Sequence, residues 1–355
     1  MAYQLNQKIR DLVPYQPISG TYNIRLDANE SYFTLPEDVK EKAIRAAMDA
    51  SLNRYPDPNA TALCEAFAAY YRINPKFVTA GNGSDELISL IISAFFEKDE
   101  ELVVTAPDFS MYQFYANVAG LKTTVFFKNE DLKLDVEQLA DYLKAKGTRG
   151  VIFSNPCNPT SLVIDRRYMM HLIRAVPDCL FIIDEAYMDF AEESIIQSAD
   201  DLPNLIVLRT ASKAIGLAGL RLGFAVANEE LTRALHAVKS PYNVNALSQA
   251  VGTALYSDPL YLIRCNADLI SAREDLYQKL LSVHAKYRVF DDVYKPETNF
   301  VFIRTKQAKK IYKKLLERSI AVRLMDGFLR ITAGSKEEHK VLFAALDEIA
   351  KEITL

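Results

Sequence analysis

Short apolar runs alternate with longer amphipathic stretches through the middle of the chain. The runs at 77–80, 102–105, 123–127, 151–154, 180–183, 205–208 and 223–227 are rich in Val, Ile, Leu and Phe and have the length of buried strands. Helical spacing marks most of the intervals and the segments before them. Val39, Ala43, Ala46, Ala47 and Ala50 predict a helix over 36–51, followed by helices over 61–72 and 86–96. Seven strands alternating with helices predict an α/β fold, a mainly parallel sheet covered on both faces. Past residue 240 the rhythm changes. A long helix over 261–286 precedes short strands at 287–291, 299–304, 322–324 and 328–332, with helices over 308–317 and 336–353. The polar start carries Pro14 and Pro17 and reads as an extended arm, with a short strand at 25–28. The expected division is an arm over 1–25, a large domain over 26–240 and a smaller α/β domain over 241–355.

Composition narrows the function. The 355 residues carry 42 Lys and Arg against 46 Asp and Glu, a net charge of −4 without a long basic run, which argues against nucleic acid as a partner. Cys64, Cys157, Cys179 and Cys265 are far apart and lack CxxC spacing, so neither a zinc site nor a disulfide framework is expected. No metal is expected at all. The chain opens without the apolar core of a signal peptide, and no apolar run is long enough to span a membrane. A cytoplasmic protein is expected.

Chemistry concentrates after the run at 205–208, in TASKAIGLAGLRLG over 210–223. Lys213 sits among Ala, Ile, Gly and Leu; poor solvation there favours a nucleophilic amine able to form a Schiff base with an aldehyde. Thr210, Ser212 and Arg221 are groups that gather around a phosphate. An aldehyde carrying a phosphate describes pyridoxal 5′-phosphate. The other strand ends supply complementary groups, as ligand sites beyond the carboxyl ends of parallel strands require. Gly83-Ser84-Asp85 opens a helix whose free N–H groups suit an anion, although Ser84 also reads as an ordinary cap. Phe109 is placed to stack on a flat ring, Asn158 to donate to a phenolate oxygen, and Asp184 to keep a pyridine nitrogen protonated. Tyr187 follows Asp184 and can reach the same ring oxygen.

These motifs resemble the fold-type I pyridoxal-phosphate aminotransferases, and within them the histidinol-phosphate branch. The resemblance runs nearly end to end. It covers Val13-Pro14-Tyr15, LDANE at 26–30, RYPDP at 54–58, GSDE at 83–86, PDFSMY at 107–112 and NPCNPT at 155–160. It continues through DEAYMDF at 184–190, TASKAIGLAGLRLGFA at 210–225, SPYNVN at 240–245, ETNFV at 297–301 and LRITAG at 329–334. By resemblance, Lys213 forms the Schiff base and moves the proton between substrate and cofactor. Asp184 pairs with the ring nitrogen, Tyr187 and Asn158 hold the ring hydroxyl, and Phe109 stacks. The Ser84 and Asp85 amides, Thr210, Ser212 and Arg221 hold the phosphate. The resemblance further implies a homodimer in which Tyr55 reaches the neighbouring cofactor. Arg330 grips an α-carboxylate, and Tyr15, Asn29, Tyr242 and Arg323 contact the substrate end, Arg323 taking a substrate phosphate. The implied reaction is transamination between L-histidinol phosphate and 2-oxoglutarate; an aromatic aminotransferase and a threonine-phosphate decarboxylase share the scaffold. Two departures stand out: Phe109 where this branch usually has tyrosine, and Ser161 where glycine is usual.

Overall fold

The computed structural model describes residues 3–10, 12 and 18–354. Its strands are β1 (Ile24–Leu26), β2 (Val78–Asn82), β3 (Glu101–Ala106), β4 (Lys122–Phe127), β5 (Gly150–Ser154), β6 (Leu180–Asp184), β7 (Leu205–Thr210), β8 (Leu222–Ala227), β9 (Asp292–Val293), β10 (Phe300–Arg304), β11 (Ile320–Met325) and β12 (Phe328–Thr332). Seven of them form one sheet in the order β2-β8-β7-β6-β5-β3-β4. The run β4-β3-β5-β6-β7 is parallel, and β8 lies antiparallel between β7 and β2. The sheet is therefore mainly parallel, as the alternation predicts.

Its central strands are apolar throughout because both faces are covered. Along β6, Phe181 and Ile183 enter one core with Leu63, Phe67 and Phe224, whereas Ile182 enters the opposite core with Leu87, Ile91 and Leu102. Each such side chain contributes about 1.5–3 kcal/mol on burial, so polar alternation has no place in these strands.

The second sheet has the order β1-β11-β12-β10-β9. β1 pairs parallel to β11 in the register Ile24↔Ile320, so the strand after the arm closes the edge of a sheet built from the far end of the chain. Helices Pro259–Tyr287, Ala308–Glu317 and Lys336–Thr354 accompany it. The long helix starts at Asp258, whose carboxylate accepts from the Tyr261 amide, with Pro259 in the first turn where no donor is needed. The strand expected at 287–291 does not form. Tyr287 is still helical, Arg288 turns left-handed (φ 54°) to end the helix, and Val289 and Phe290 are buried; pairing begins only at Asp292.

Among the described residues no helix is long and apolar enough to cross a membrane, and no group of three or more His, Cys, Asp or Glu is arranged to hold a metal.

Candidate active site

β3, β5, β6 and β7 end at one edge of the large sheet, and the chemistry-bearing residues gather there. Asp184 ends β6 with its carboxylate buried. The Tyr112 hydroxyl donates to Oδ2 at 2.7 Å and the Ala186 amide to Oδ1 at 3.0 Å. Burial pushes the Asp184 carboxyl up to about 6; the two donors oppose the rise and Asp108 and Asp85 add to it. A buried carboxylate this poorly compensated favours a cationic partner.

Lys213 lies in the turn after β7, half-buried between buried Ser212 and Ala214. Its Nζ donates to the Ala28 carbonyl at 3.2 Å and stands 5.9 Å from the centre of the Tyr187 ring. Tyr187 is buried against Phe300, and its hydroxyl accepts from Asn29 Nδ2 at 2.8 Å. Asn29, left-handed at φ 55°, also accepts from the Thr332 hydroxyl at 3.1 Å. Asn158 accepts from Arg330 Nη1 at 2.6 Å, while Arg330 Nη2 donates to the Asp27 carbonyl at 2.7 Å. Lys213, Tyr187, Asn158, Asn29 and Arg330 thus meet around residues 27–29 in a candidate cleft where the two sheets adjoin, and Asp184 ends β6 three residues before Tyr187.

The anion end forms where β2, β8 and β7 meet. Gly83 (φ 84°) precedes the helix Ser84–Ala94, and a Cβ there would lie 2.7 Å from Arg221 Nη2. Across the strands, a Cβ on Gly223 would lie 2.3 Å from the Ser84 nitrogen. Only glycine lets the backbone close so tightly around the helix start. Arg221 reaches Asp85 at 3.5 Å, and Thr210 Oγ1 contacts Ser212 Oγ at 3.0 Å. Two hydroxyls, a guanidinium and a helix N-terminus thus converge at this corner, a donor set of the kind that suits a phosphate. That donor set fits pyridoxal 5′-phosphate.

Phe109 is half-buried at the same edge, edge-on to Tyr112 with ring centres 5.5 Å apart. Tyr55 and Tyr242 do not join this cluster by any contact seen here but stack on each other at 4.5 Å, Tyr55 being 80% exposed. Arg323 on β11 pairs in register with Arg330 on β12. Tyr15 lies outside the described residues.

Three features went unread in the sequence. Tyr112 is one, although its position three residues after Phe109 on a helix was a signal. The second is a buried pair, Asp108 and Lys128, 3.2 Å apart with side chains 2% and 4% exposed. Asp108 also accepts from Thr105, the Phe109 amide and both Ser154 donors, and the Ser154 hydroxyl in turn accepts from the Asn158 amide. The pair therefore ties the ends of β3, β4 and β5 together behind Phe109 and Asn158. The third is Arg209, which bridges Glu185 and Asp189 at 2.9 Å each and holds the backbone on either side of Tyr187. A cavity of about 450 Å³ lies beside Lys128 and Cys157, lined also by Asn155 and Tyr168.

A family model described as aminotransferase class I and II matches residues 22–346. The chain belongs to this family. A histidinol-phosphate aminotransferase of Clostridium novyi is 40% identical over 336 residues, 93% of each chain. One from Clostridium kluyveri is 38% identical, over 97% of this chain and 98% of its own. Among solved structures, the histidinol-phosphate aminotransferase of Sinorhizobium meliloti in complex with pyridoxal 5′-phosphate superposes with a TM-score of 0.88 at 24% identity, covering 99% of this chain and 98% of its own. The fold expected from the motifs is thereby established, and with the family comes a pyridoxal-phosphate-dependent aminotransferase.

Ser161, where the motif resemblance leads to an expectation of glycine, is left-handed at φ 64°. Its hydroxyl contacts Thr298 Oγ1 at 2.6 Å and accepts from the Glu297 amide at 2.9 Å, bonds to the second lobe that glycine lacks.

Proposed function

We propose that the chain transfers the amino group of L-histidinol phosphate to 2-oxoglutarate, giving imidazole acetol phosphate and L-glutamate. The observation that carries this reading is the register of Arg323 against Arg330, which puts two arginines on one face of the second sheet, one of them bonded to Asn158. Two cations suit a substrate with a phosphate at one turn of the cycle and a dicarboxylate at the other. The full-length likeness to histidinol-phosphate aminotransferases supports the same choice.

Bound pyridoxal phosphate would supply an aldehyde for the amino group and a ring that takes up the electron pair freed at the substrate Cα. Lys213 Nζ would hold the cofactor through that group and would carry the proton at the substrate Cα. Asp184 keeps the ring nitrogen protonated. Tyr187 and Asn158 orient the ring hydroxyl, and Phe109 covers the ring face. The Ser84 and Asp85 amides with Thr210, Ser212 and Arg221 grip the phosphate. Arg330 takes the α-carboxylate of glutamate, and Tyr15, Asn29, Tyr242 and Arg323 complete the substrate end.

The working unit in this reading is a cytoplasmic homodimer in which Tyr55 reaches the partner's cofactor phosphate. Its support is an exposed apolar row, Met48 at 81%, Leu52 at 75% and Tyr55 at 80%, which a second copy would cover. The domain division proposed is the arm 1–25, a large domain 26–240 and a small domain 241–355, with β1 as the strand that returns to the small sheet.

The test is an absorbance titration of the cofactor-loaded protein with L-histidinol phosphate beside L-phenylalanine and L-threonine phosphate. Bleaching of the visible band by histidinol phosphate, and its return with 2-oxoglutarate, is expected. Bleaching by phenylalanine alone, or carbon dioxide release from threonine phosphate, would overturn the assignment.

A further inference from the structure

We infer that Tyr112 is a positioning residue that keeps Asp184 a weaker base than the ring nitrogen it faces, so that the shared proton rests on the nitrogen. This rests on the role given to Asp184 above.

The geometry is specific. Among the described residues each Asp184 oxygen has one donor: Tyr112 Oη on Oδ2 at 2.7 Å and the Ala186 amide on Oδ1 at 3.0 Å. Tyr112 is fully buried in the first turn of the helix Met111–Ala119, so water cannot replace it. Its ring packs edge-on against Phe109 at 82°. Burial and the carboxylates of Asp184 and Asp108 hold the phenol well above its ordinary range, so it remains a donor at every working pH.

The consequence follows from which form of the carboxyl the bond favours. A donated hydrogen bond stabilises the ionised carboxylate, whereas burial, Asp108 and Asp85 all favour the protonated one. When a ring nitrogen and a carboxylate share one proton, raising the basicity of the carboxylate draws that proton off the nitrogen. The ring then loses the positive charge that makes it an electron sink. Tyr112 acts against that transfer through Asp184, without touching the ligand. A tyrosine that merely filled the core beside Ile88 and Leu121 would serve equally well as phenylalanine.

The test uses the full chain with Tyr112→Phe. In the cofactor-free protein, the infrared carboxyl band that Asp184→Asn removes is followed against pH. Tyr112→Phe moves its midpoint upward by about one to two pH units, the shift that matches loss of one hydrogen bond to a charged group. In the loaded protein, kcat falls by roughly ten- to a hundredfold with KM nearly unchanged, from the same displacement of the proton. Site-specific 3-fluorotyrosine at position 112, a stronger donor, moves the midpoint the other way and keeps the phenol should the phenylalanine variant fold poorly. A carboxyl midpoint that ignores both changes overturns the inference, as does a loss confined to KM. An Asp184→Asn protein that turns over like the parent sinks instead the role of Asp184, and the shift in the cofactor-free protein separates the two failures.

Discussion

Replacing Asp108 by asparagine tests whether the buried pair behind the cofactor cleft organises it. Lys128 Nζ sits 3.2 Å from Asp108 Oδ2 with both side chains almost wholly inaccessible. Its other partners are the Pro107 carbonyl at 2.8 Å and Cys157 Sγ at 2.9 Å, so among the described residues no second carboxylate bonds to it. At an effective dielectric of about 20, attraction across that distance is on the order of 5 kcal/mol. Stranding one member of a buried pair costs about 3–5 kcal/mol, and asparagine should strand the ammonium. Lys128→Met should cost less, about 1–3 kcal/mol, because the carboxylate keeps the donors of Thr105, Phe109 and Ser154. Removing both charges together should recover roughly half of the single loss.

The pH dependence has a definite sign. In the parent, burial pulls Lys128 down but Asp108 and Cys157 more than offset it, so its ammonium persists above the ordinary lysine range. Its contribution is complete at neutral pH and lost only as pH climbs through that raised value. In Asp108→Asn burial acts with much less opposition and the folded value falls below the unfolded one. The unfolded chain then binds the extra proton, and stability rises with pH up to the ordinary lysine value. Urea melts at several pH values, read beside cofactor affinity, measure both effects. A deficit under 1 kcal/mol that does not vary with pH, with unchanged affinity, would refute the reasoning.

Arg323→Gln should raise KM for L-histidinol phosphate roughly ten- to a hundredfold, the worth of a charge-assisted contact, and leave the thermal midpoint nearly unchanged in a melting scan. Gly223→Ala should weaken cofactor binding and lower stability by about 1–3 kcal/mol or more, measured by urea melts, because the new Cβ meets backbone at 2.3 Å and not a side chain that can turn aside. Ser161→Ala should be less stable than Ser161→Gly by roughly 1 kcal/mol, since both lose the hydroxyl's bonds and keep the Ser161 carbonyl's bond from the Glu297 amide, but only alanine keeps the left-handed strain.

Much of the large sheet was legible because a strand buried on both faces has to be apolar at every position. β6 reads LFIID for that reason, and its terminal aspartate stood out as the one residue that burial alone could not explain. Pairing partners far apart in sequence left no such trace. Nothing in Ile24–Leu26 says that it will lie beside Ile320, and nothing in 287–291 says that Arg288 will end a helix where an apolar run suggests a strand. The cleft divides the same way. Lys213, Asp184 and Arg221 carry charge at strand ends and were readable one by one. Tyr112 and Lys128 were not, because a tyrosine one turn into a helix looks like packing and a lysine after Phe127 looks like a solvated end. Their roles exist only once the strands are side by side.

The placement of β1 explains why residues from both ends of the chain meet at the cleft. By pairing with β11, this strand carries Asp27, Ala28 and Asn29 out of the small sheet and across to the edge of the large one. Asp27 there accepts from Arg330, Ala28 from Lys213, and Asn29 joins Thr332 on β12 to Tyr187 beyond β6. A residue in the left-handed region is costly for any side chain but glycine, and Asn29 offsets that cost with bonds from both lobes. The link is short, with Asp27 and Asn29 buried on either side of exposed Ala28, so displacement of one sheet relative to the other would disturb the bonds of Tyr187, Lys213 and Arg330 together. In the function proposed above, a substrate anion on Arg330 of β12 would thereby be coupled, through three consecutive residues, to Lys213 after β7.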